Sequence, residues 1–271
     1  MAVKKPGTGR RVDLTTVVGV PLALGLLVVG QALEGGSLGS VLQLTAALIV
    51  FGGTAGAVLV SFPQEQIRGA WRAIGAVVTD QPPSAERTIN EVVRLATQAR
   101  RQGIMSLEQV IVDTDPFLRK FLAHAVDGAK PQVLRDMMEL EIVHQEEHDE
   151  APAKVYEAAG GYLPTLGILG AVLGLIQTMQ HLDQPEHIGG GIAVAFVATV
   201  YGVGAANLLC LPIATKLKAK ARRTALHREL MMEGVLAIQE GLNPKLIDEK
   251  LRAFVGHRDQ PARPGPRRRA A

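Results

Sequence analysis

Apolar positions along this chain come in two arrangements, long unbroken runs and helical stripes. Four runs contain no Asp, Glu, Lys or Arg: Leu14 to Leu33, Gly35 to Gln64, Ala158 to Leu182, and His187 to Thr215. They are built mostly from Val, Leu, Ile, Ala and Gly. A helix needs about 20 apolar residues to cross the hydrocarbon core of a bilayer, and each run supplies that length. The chain is therefore predicted to be an all-α polytopic membrane protein with four transmembrane helices in two hairpins. The first run follows Lys4, Lys5, Arg10 and Arg11, as a signal peptide would. It is longer than a signal-peptide core of about 7 to 15 residues, and a second apolar run begins almost at once, so a retained hairpin is expected.

The stripes lie between the hairpins. Ile89, Val92, Val93, Ala96 and Ala99 follow helical spacing, and Gly103 ends that helix just after Arg100 and Arg101, cations placed where the helix dipole favours them. Ser106 with Gln109 three residues on reads as a capping box that starts a new helix, with Glu108 in its first turn. Phe117, Leu118, Phe121, Leu122 and Ala125 mark a third helical face, and a fourth helix is expected from Pro131 to about Glu150. The insert thus reads as a compact helical module. The expected organisation is an N-terminus over 1–12, a first hairpin over 13–64 and the helical module over 65–156. A second hairpin over 157–215, C-terminal helices over 216–255 and a Pro- and Arg-rich disordered tail over 256–271 follow.

Charge gives orientation. Of the 29 Lys and Arg, four precede Asp13, eleven lie between Glu65 and Glu157, and fourteen follow from Lys216 onward. The two remaining connections carry none, so the positive-inside rule places both termini and the insert in the cytoplasm. The insert holds sixteen acidic residues against eleven basic, net −5, and the stretch from Lys216 holds six against fourteen, net +8. Two readings follow: the early basic residues of the tail pair with the insert, or they meet anionic lipid headgroups. The overall net charge of +3 conceals this separation, and with the basic residues flanking membrane spans no nucleic-acid partner is expected. With 47% hydrophobic residues and one cysteine, the composition also excludes a disordered chain and a disulfide scaffold.

Enzymatic signatures are weak. His144, Glu147 and His148 match an inverted zinc-protease pattern, but they sit in the charge-dense run HQEEHDE directly before a span, which reads as a solvated helix face. There is no G-x-S-x-G and no phosphate-loop motif, and Cys210 lies alone within an apolar run. No catalytic role, metal or cofactor is expected. The spans also lack the intramembrane carboxylate that ion carriers use, so if the protein moves ions the titrating group comes from another chain. His181 and His187 stand only at the outer rim. Spans three and four are rich in Gly and Ala, which allow close helix approach. Thr165, Thr199, Tyr201 and Asn207 stand among them, with Pro164 and Pro212, each of which removes a backbone donor. Ordinary packing and a polar seam at an assembly interface both fit these residues.

Several stretches together resemble the MotA/PomA stator proteins of the bacterial flagellar motor, within the larger MotA/TolQ/ExbB group. They are ALEGGSLGS at 32–40, GGTAGAVLVSFP at 52–63, ARRQGIMSLE at 99–108, and the span motifs YLPTLGILGAVLGLI and GGGIAVAFVATVYGVGAANLLCLPIATKLK. The resemblance covers residues 10 to 255. It implies a homo-pentamer around two copies of a MotB-like partner, a single-span protein whose membrane aspartate carries the ion. It also implies a multi-pass place in the bacterial inner membrane, with the cytoplasmic module pushing on the rotor protein FliG. Matched motif by motif, Arg100 and Glu108 are the rotor-facing pair, Pro164 and Pro212 the prolines coupled to ion passage, and Thr199 the residue facing the partner's aspartate. Sodium-type members carry Thr where Ala171 stands, so the resemblance implies H+ rather than Na+ as the translocated ion. The alternatives are a TolQ- or ExbB-like energiser of another envelope process, a sodium-driven PomA-type stator, and a non-conducting membrane scaffold.

Overall fold

A computed structural model of the chain describes residues 11–36, 38–80, 83–181 and 185–258. In chain order the helices are α1 (Leu14–Leu33), α2 (Leu38–Val41), α3 (Leu44–Ala47), α4 (Gly53–Ser61), α5 (Gln64–Val78) and α6 (Ala85–Gln102). They continue as α7 (Pro116–Val126), α8 (Pro131–Gln180), α9 (Pro185–Ala205), α10 (Leu211–Gln239) and α11 (Pro244–Arg258). Widened π-helical turns at Leu48–Gly52 and Ala206–Cys210 join α3 to α4 and α9 to α10. The all-α expectation holds, with one addition: β1 (Arg11–Val12) pairs antiparallel with β2 (Thr79–Asp80), Arg11 opposite Asp80. Helix α11 runs three residues into 256–271, and the rest of that predicted tail lies outside the described residues.

The chain forms two units. The first comprises the described residues of 1–81 and 148–221 and holds the four apolar helices. Asp13 caps α1: its carboxylate accepts from the Thr15 amide at 3.1 Å and the Thr15 hydroxyl at 2.6 Å, and it forms an ion pair with Lys216. The bonds from Lys216 and then Thr15 hold the Asp13 carboxyl well below the usual carboxylate range. The Asp13 amide also donates to Val78 O at 2.8 Å, joining the start of α1 to the end of α5.

The second span differs from the expected continuous run over Gly35–Gln64. Helix α2 stops at Val41, Gln43 is extended (φ −122°, ψ 107°), and the crossing segment is Leu44–Ser61. The cause is Tyr201 of α9, whose hydroxyl donates to Val41 O at 2.6 Å and accepts from Gln43 N at 3.2 Å. A side chain thereby satisfies the backbone groups that the break frees, as an apolar setting requires.

The third and fourth spans have no separate helices before or after them. Helix α8 runs 50 residues, joining the expected Pro131–Glu150 helix to the third span through Pro152. Proline removes one hydrogen bond but supplies no stop signal, and no Gly stands between Glu150 and Ala158 to end a helix. The fourth span continues likewise through its π turn into α10.

The second unit comprises the described residues of 82–147 and 222–271. Its core joins Leu95, Leu107, Leu118, Phe121, Leu122, Leu134 and Met138 to Leu230, Val235, Leu236, Ile247 and Leu251. The C-terminal helices therefore complete the module's core. Val92 fills the space over Gly234, where a Cβ would lie 2.8 Å from a Val92 methyl. Of the two readings for the basic residues after Lys216, Arg222 follows the pairing one and meets Glu146 of the insert at 3.2 Å. Glu233, an acid of the same C-terminal stretch, holds Arg135 of the insert at 3.5 Å and Lys250 of its own stretch at 2.8 Å. In the first unit Lys218 meets Glu157 at 2.6 Å. These are partly exposed pairs, each worth about 0–1 kcal/mol. Burial raises the Glu91 carboxyl above its usual range, with Arg94 opposing.

One local expectation fails in this unit. Ser106 starts no α-helix; residues 104–107 and 111–113 are short 3-10 turns. The Ser106 amide and hydroxyl both turn back to Gly103 O, at 3.1 and 2.7 Å. Leu107 and Ile111 are drawn into the core, and their burial outweighs the capping-box preference.

Candidate functional site

The membrane site is built on glycine. A Cβ on Gly202 of α9 would lie 2.4 Å from Leu163 O and 3.0 Å from the Gly167 Cα of α8. A Cβ on Gly167 would in turn lie 3.0 Å from Ala198 O and 3.4 Å from the Thr199 Cα. Further along, Gly174 meets Gly191 O and Ala195 in the same way, at 2.8 and 2.9 Å. The two backbones touch along this line, which only residues without bulk permit. The π turn at Leu48–Gly52 and the start of α4 close the back of the crossing: Ile49 packs over Gly170, and Leu166 over Gly53.

This crossing brings the predicted span residues together. Pro164 and Ala171 stand one turn to either side of Gly167 on α8, both half-buried, and Thr199 lies half-buried against Gly167 from α9. The Thr199 hydroxyl donates to Ala195 O at 3.3 Å, which leaves its oxygen lone pairs free to accept. Pro164 cannot donate to the Gly160 carbonyl four residues before it. Gly160, whose carbonyl is thereby freed, sits against Leu211, the residue before Pro212 at the start of α10, where a Cβ would be 2.7 Å from a Leu211 methyl. The π turn at Ala206–Cys210 ends just before Pro212 and is the widened geometry that a missing donor calls for. Cys210 is half-buried in that turn.

Other polar span residues are placed elsewhere. Tyr201 is committed to the break before α3 and stacks on Phe51 with ring centres 5.6 Å apart, so it lines no polar path. Thr165 and Asn207 are exposed and back-bond to Tyr162 O and Val203 O at 2.8 and 2.9 Å. Sequence reasoning missed both π turns; for Ala206–Cys210 the available signal was Pro212 two residues past its end, and the turn at Leu48–Gly52 has no proline near it.

Arg100 and Glu108 occupy the second unit. Arg100 is in the last turn of α6, and Glu108 closes the 3-10 turn over 104–107. Between them Gly103 adopts φ +82°, a left-handed conformation that favours glycine. Gln98 Nε2 donates across the turn to Ser106 O at 3.1 Å, and Leu107 anchors it from below with no exposed surface. Both charged side chains are exposed, and neither has an ion-pair partner among the described residues. A fixed turn thus presents Arg100, with the neighbouring exposed Arg101, on one side and Glu108 on the other. His144, Glu147 and His148 lie on an exposed face of α8.

The family described as the MotA/TolQ/ExbB proton channel family matches residues 110–230, and the Motility protein A N-terminal family matches residues 17–103. The chain is 37% identical over 253 residues to Motility protein A of Bacillus subtilis, covering 92% of this chain and 93% of that protein. It is 33% identical over 243 residues to Chemotaxis protein PomA of Vibrio alginolyticus, covering 90% and 95%. Among solved structures it is similar to the flagellar MotAB stator complex from Bacillus subtilis, with a TM-score of 0.83 and 37% identity over 91% of this chain and 98% of that one. The structure of C. jejuni MotAB gives a TM-score of 0.83 at 31% identity, over 93% and 99%.

Proposed function

The chain belongs to the MotA/TolQ/ExbB proton channel family, and we propose that it is a flagellar motor stator subunit of the bacterial inner membrane. Five copies surround two copies of a MotB-like single-span partner, and the assembly converts ion flow into torque on the rotor protein FliG. The observation that carries this reading is the full-length likeness to MotAB complexes, which spans both units. The match of residues 17–103 to the motility-protein N-terminal family supports the motility branch over a TolQ- or ExbB-like energiser.

The arrangement of the span residues supports this reading. The spans carry no carboxylate of their own, so the partner's membrane aspartate is the titrating group, and Thr199 offers it an acceptor oxygen at the α8–α9 crossing. Ala171 adds no oxygen beside it, which leaves a cation no coordination shell to replace its water and favours H+ over Na+. Pro164, one turn from Gly160, and Pro212, next to the Leu211 on which Gly160 packs, form the places where the two helices bend as the aspartate changes charge. Each proton falling through 100 mV releases about 2.3 kcal/mol, and Arg100 and Glu108 pass the resulting motion to oppositely charged rotor groups. Both termini and the second unit lie in the cytoplasm, where the rotor is reached.

Rotation of tethered cells tests the reading. Cells lacking this gene and any second stator set should assemble filaments that stay paralysed, and wild type should restore rotation in sodium-free medium at constant proton-motive force. The double reversal Arg100→Glu, Glu108→Lys should insert normally and give little torque. Full rotation in the deletion sinks the stator assignment, rotation that stops without sodium sinks the proton assignment, and full torque from the reversed pair sinks the rotor-facing one.

A further inference from the structure

Helix α5 begins two residues after the second span ends at Ser61, so it starts where the chain leaves the bilayer core. Its faces divide three ways. Val77 is buried in a cluster with Ala153, Ala214 and Leu217, against which Ala73 and Tyr156 pack, and Ala70 is buried where the Tyr156 hydroxyl donates to its carbonyl at 2.9 Å. Ile67, Trp71, Ile74 and Val78, spaced at four, three and four residues, form an adjoining apolar stripe on which Trp71 is 73% exposed, Ile74 38% and Val78 37%. Arg68 and Arg72 are exposed on the side of the stripe away from the buried cluster. Lys220 from the base of α10 reaches the carbonyls of Ala76 and Thr79, which fixes the far end of α5 at the level where the fourth span becomes charged.

We propose that this stripe lies in the headgroup layer of the bilayer, with Arg68 and Arg72 engaging the phosphates of anionic lipids. The proposal rests on the membrane reading of the spans and goes beyond the stator reading, which does not require it. Three observations select lipid as the occupant. The stripe is continuous with a membrane span and separated from it only by Phe62 and Pro63. Its largest member is the one tryptophan in a chain with 4% aromatic residues, and an indole ring, apolar in body with a polar N–H, settles at the membrane–water boundary. The flanking charges are arginines, whose apolar stems can follow the stripe while the heads reach phosphate.

Because Trp71 is the sole tryptophan, the intrinsic fluorescence of the full chain reports this face directly. The chain is reconstituted into vesicles of phosphatidylcholine with phosphatidylglycerol, either lipid carrying bromine near the headgroup end or near the middle of its acyl chains. Shallow bromine should quench Trp71 more than deep bromine. Brominated phosphatidylglycerol should quench at lower mole fraction than brominated phosphatidylcholine, and in R68Q/R72Q that preference should fall, on the order of fivefold per arginine removed. The wild-type depth comparison needs no variant, so it stands even if R68Q/R72Q folds poorly. Trp71 open to iodide and untouched by bromolipid would overturn the proposal by placing the stripe in water. Trp71 shielded from both would overturn it by placing another protein surface over the stripe. Equal quenching by the two lipids would overturn the role of the arginines. None of these outcomes bears on torque, so failure here is distinct from failure of the stator assignment.

Discussion

At the scale of single residues the membrane unit depends on the absence of side chains at chosen points. Gly202 and Gly204 differ by two positions on α9 and look alike in sequence, yet their surroundings are opposite. A Cβ at Gly202 would strike the Leu163 carbonyl at 2.4 Å, a backbone atom that cannot swing aside, whereas nothing lies within 4 Å of one at Gly204. Gly202→Ala should therefore force α8 and α9 apart and cost about 1–3 kcal/mol. Gly204→Ala should be neutral or stabilise by up to about 1 kcal/mol, because alanine loses less backbone freedom in a helix. Thermal unfolding of each variant in the same detergent checks both signs, and equal effects would sink the close-contact account. The richness in small residues was legible from sequence, but which glycines bear the contact was not, since helical period alone cannot say which face meets the neighbour. Arg100 and Glu108 show the same division: their exposure on a fixed turn is a finding of structure, and their assigned role came from resemblance to a family.

At the scale of elements, sequence pattern located the faces of the helices better than their ends. The stripe of Ile89, Val92 and Ala96 is the buried side of α6, and Gly103 ends that helix as expected. The change from a charged surface at Glu150 to an apolar run at Ala158 reads as a boundary, yet it is only a change of surroundings along one helix. The break before α3 is the converse case, an apolar stretch that a distant hydroxyl interrupts. Tyr201→Phe tests that explanation. It removes a donor to Val41 O and an acceptor from Gln43 N while keeping the ring on Phe51. The two backbone groups would be stranded in an apolar setting, at a cost of about 1–3 kcal/mol. Hydrogen exchange at Gln43 should rise in the variant while exchange in α4 stays as in wild type. Protection of Gln43 unchanged in Tyr201→Phe would mean that the break is held by other forces.

At the scale of the whole molecule the separation of charge decides how the chain sits in a bilayer. The insert is longer than the loops of about 60 residues or fewer over which the positive-inside rule is counted, so its weight comes from residues near the span ends. Arg68 and Arg72 follow the second span, Lys154 precedes the third, and Lys216, Lys218, Lys220, Arg222 and Arg223 follow the fourth, while Lys4, Lys5, Arg10 and Arg11 precede the first. The connections at 34–40 and 183–187 have no basic residue to oppose them. Two of these cations also have structural partners, Lys216 at Asp13 and Lys218 at Glu157, so charges that the positive-inside rule counts also tie helices together. Fusions report the outcome: alkaline phosphatase, active only outside the cytoplasm, should work when joined within 34–40 or after Asp183. A fluorescent protein that matures only inside should light up after Arg258 and within 83–84, between α5 and α6. The reverse pattern would put the Arg100 and Glu108 turn on the side of the membrane away from any rotor, and torque transfer through that turn would then be physically impossible.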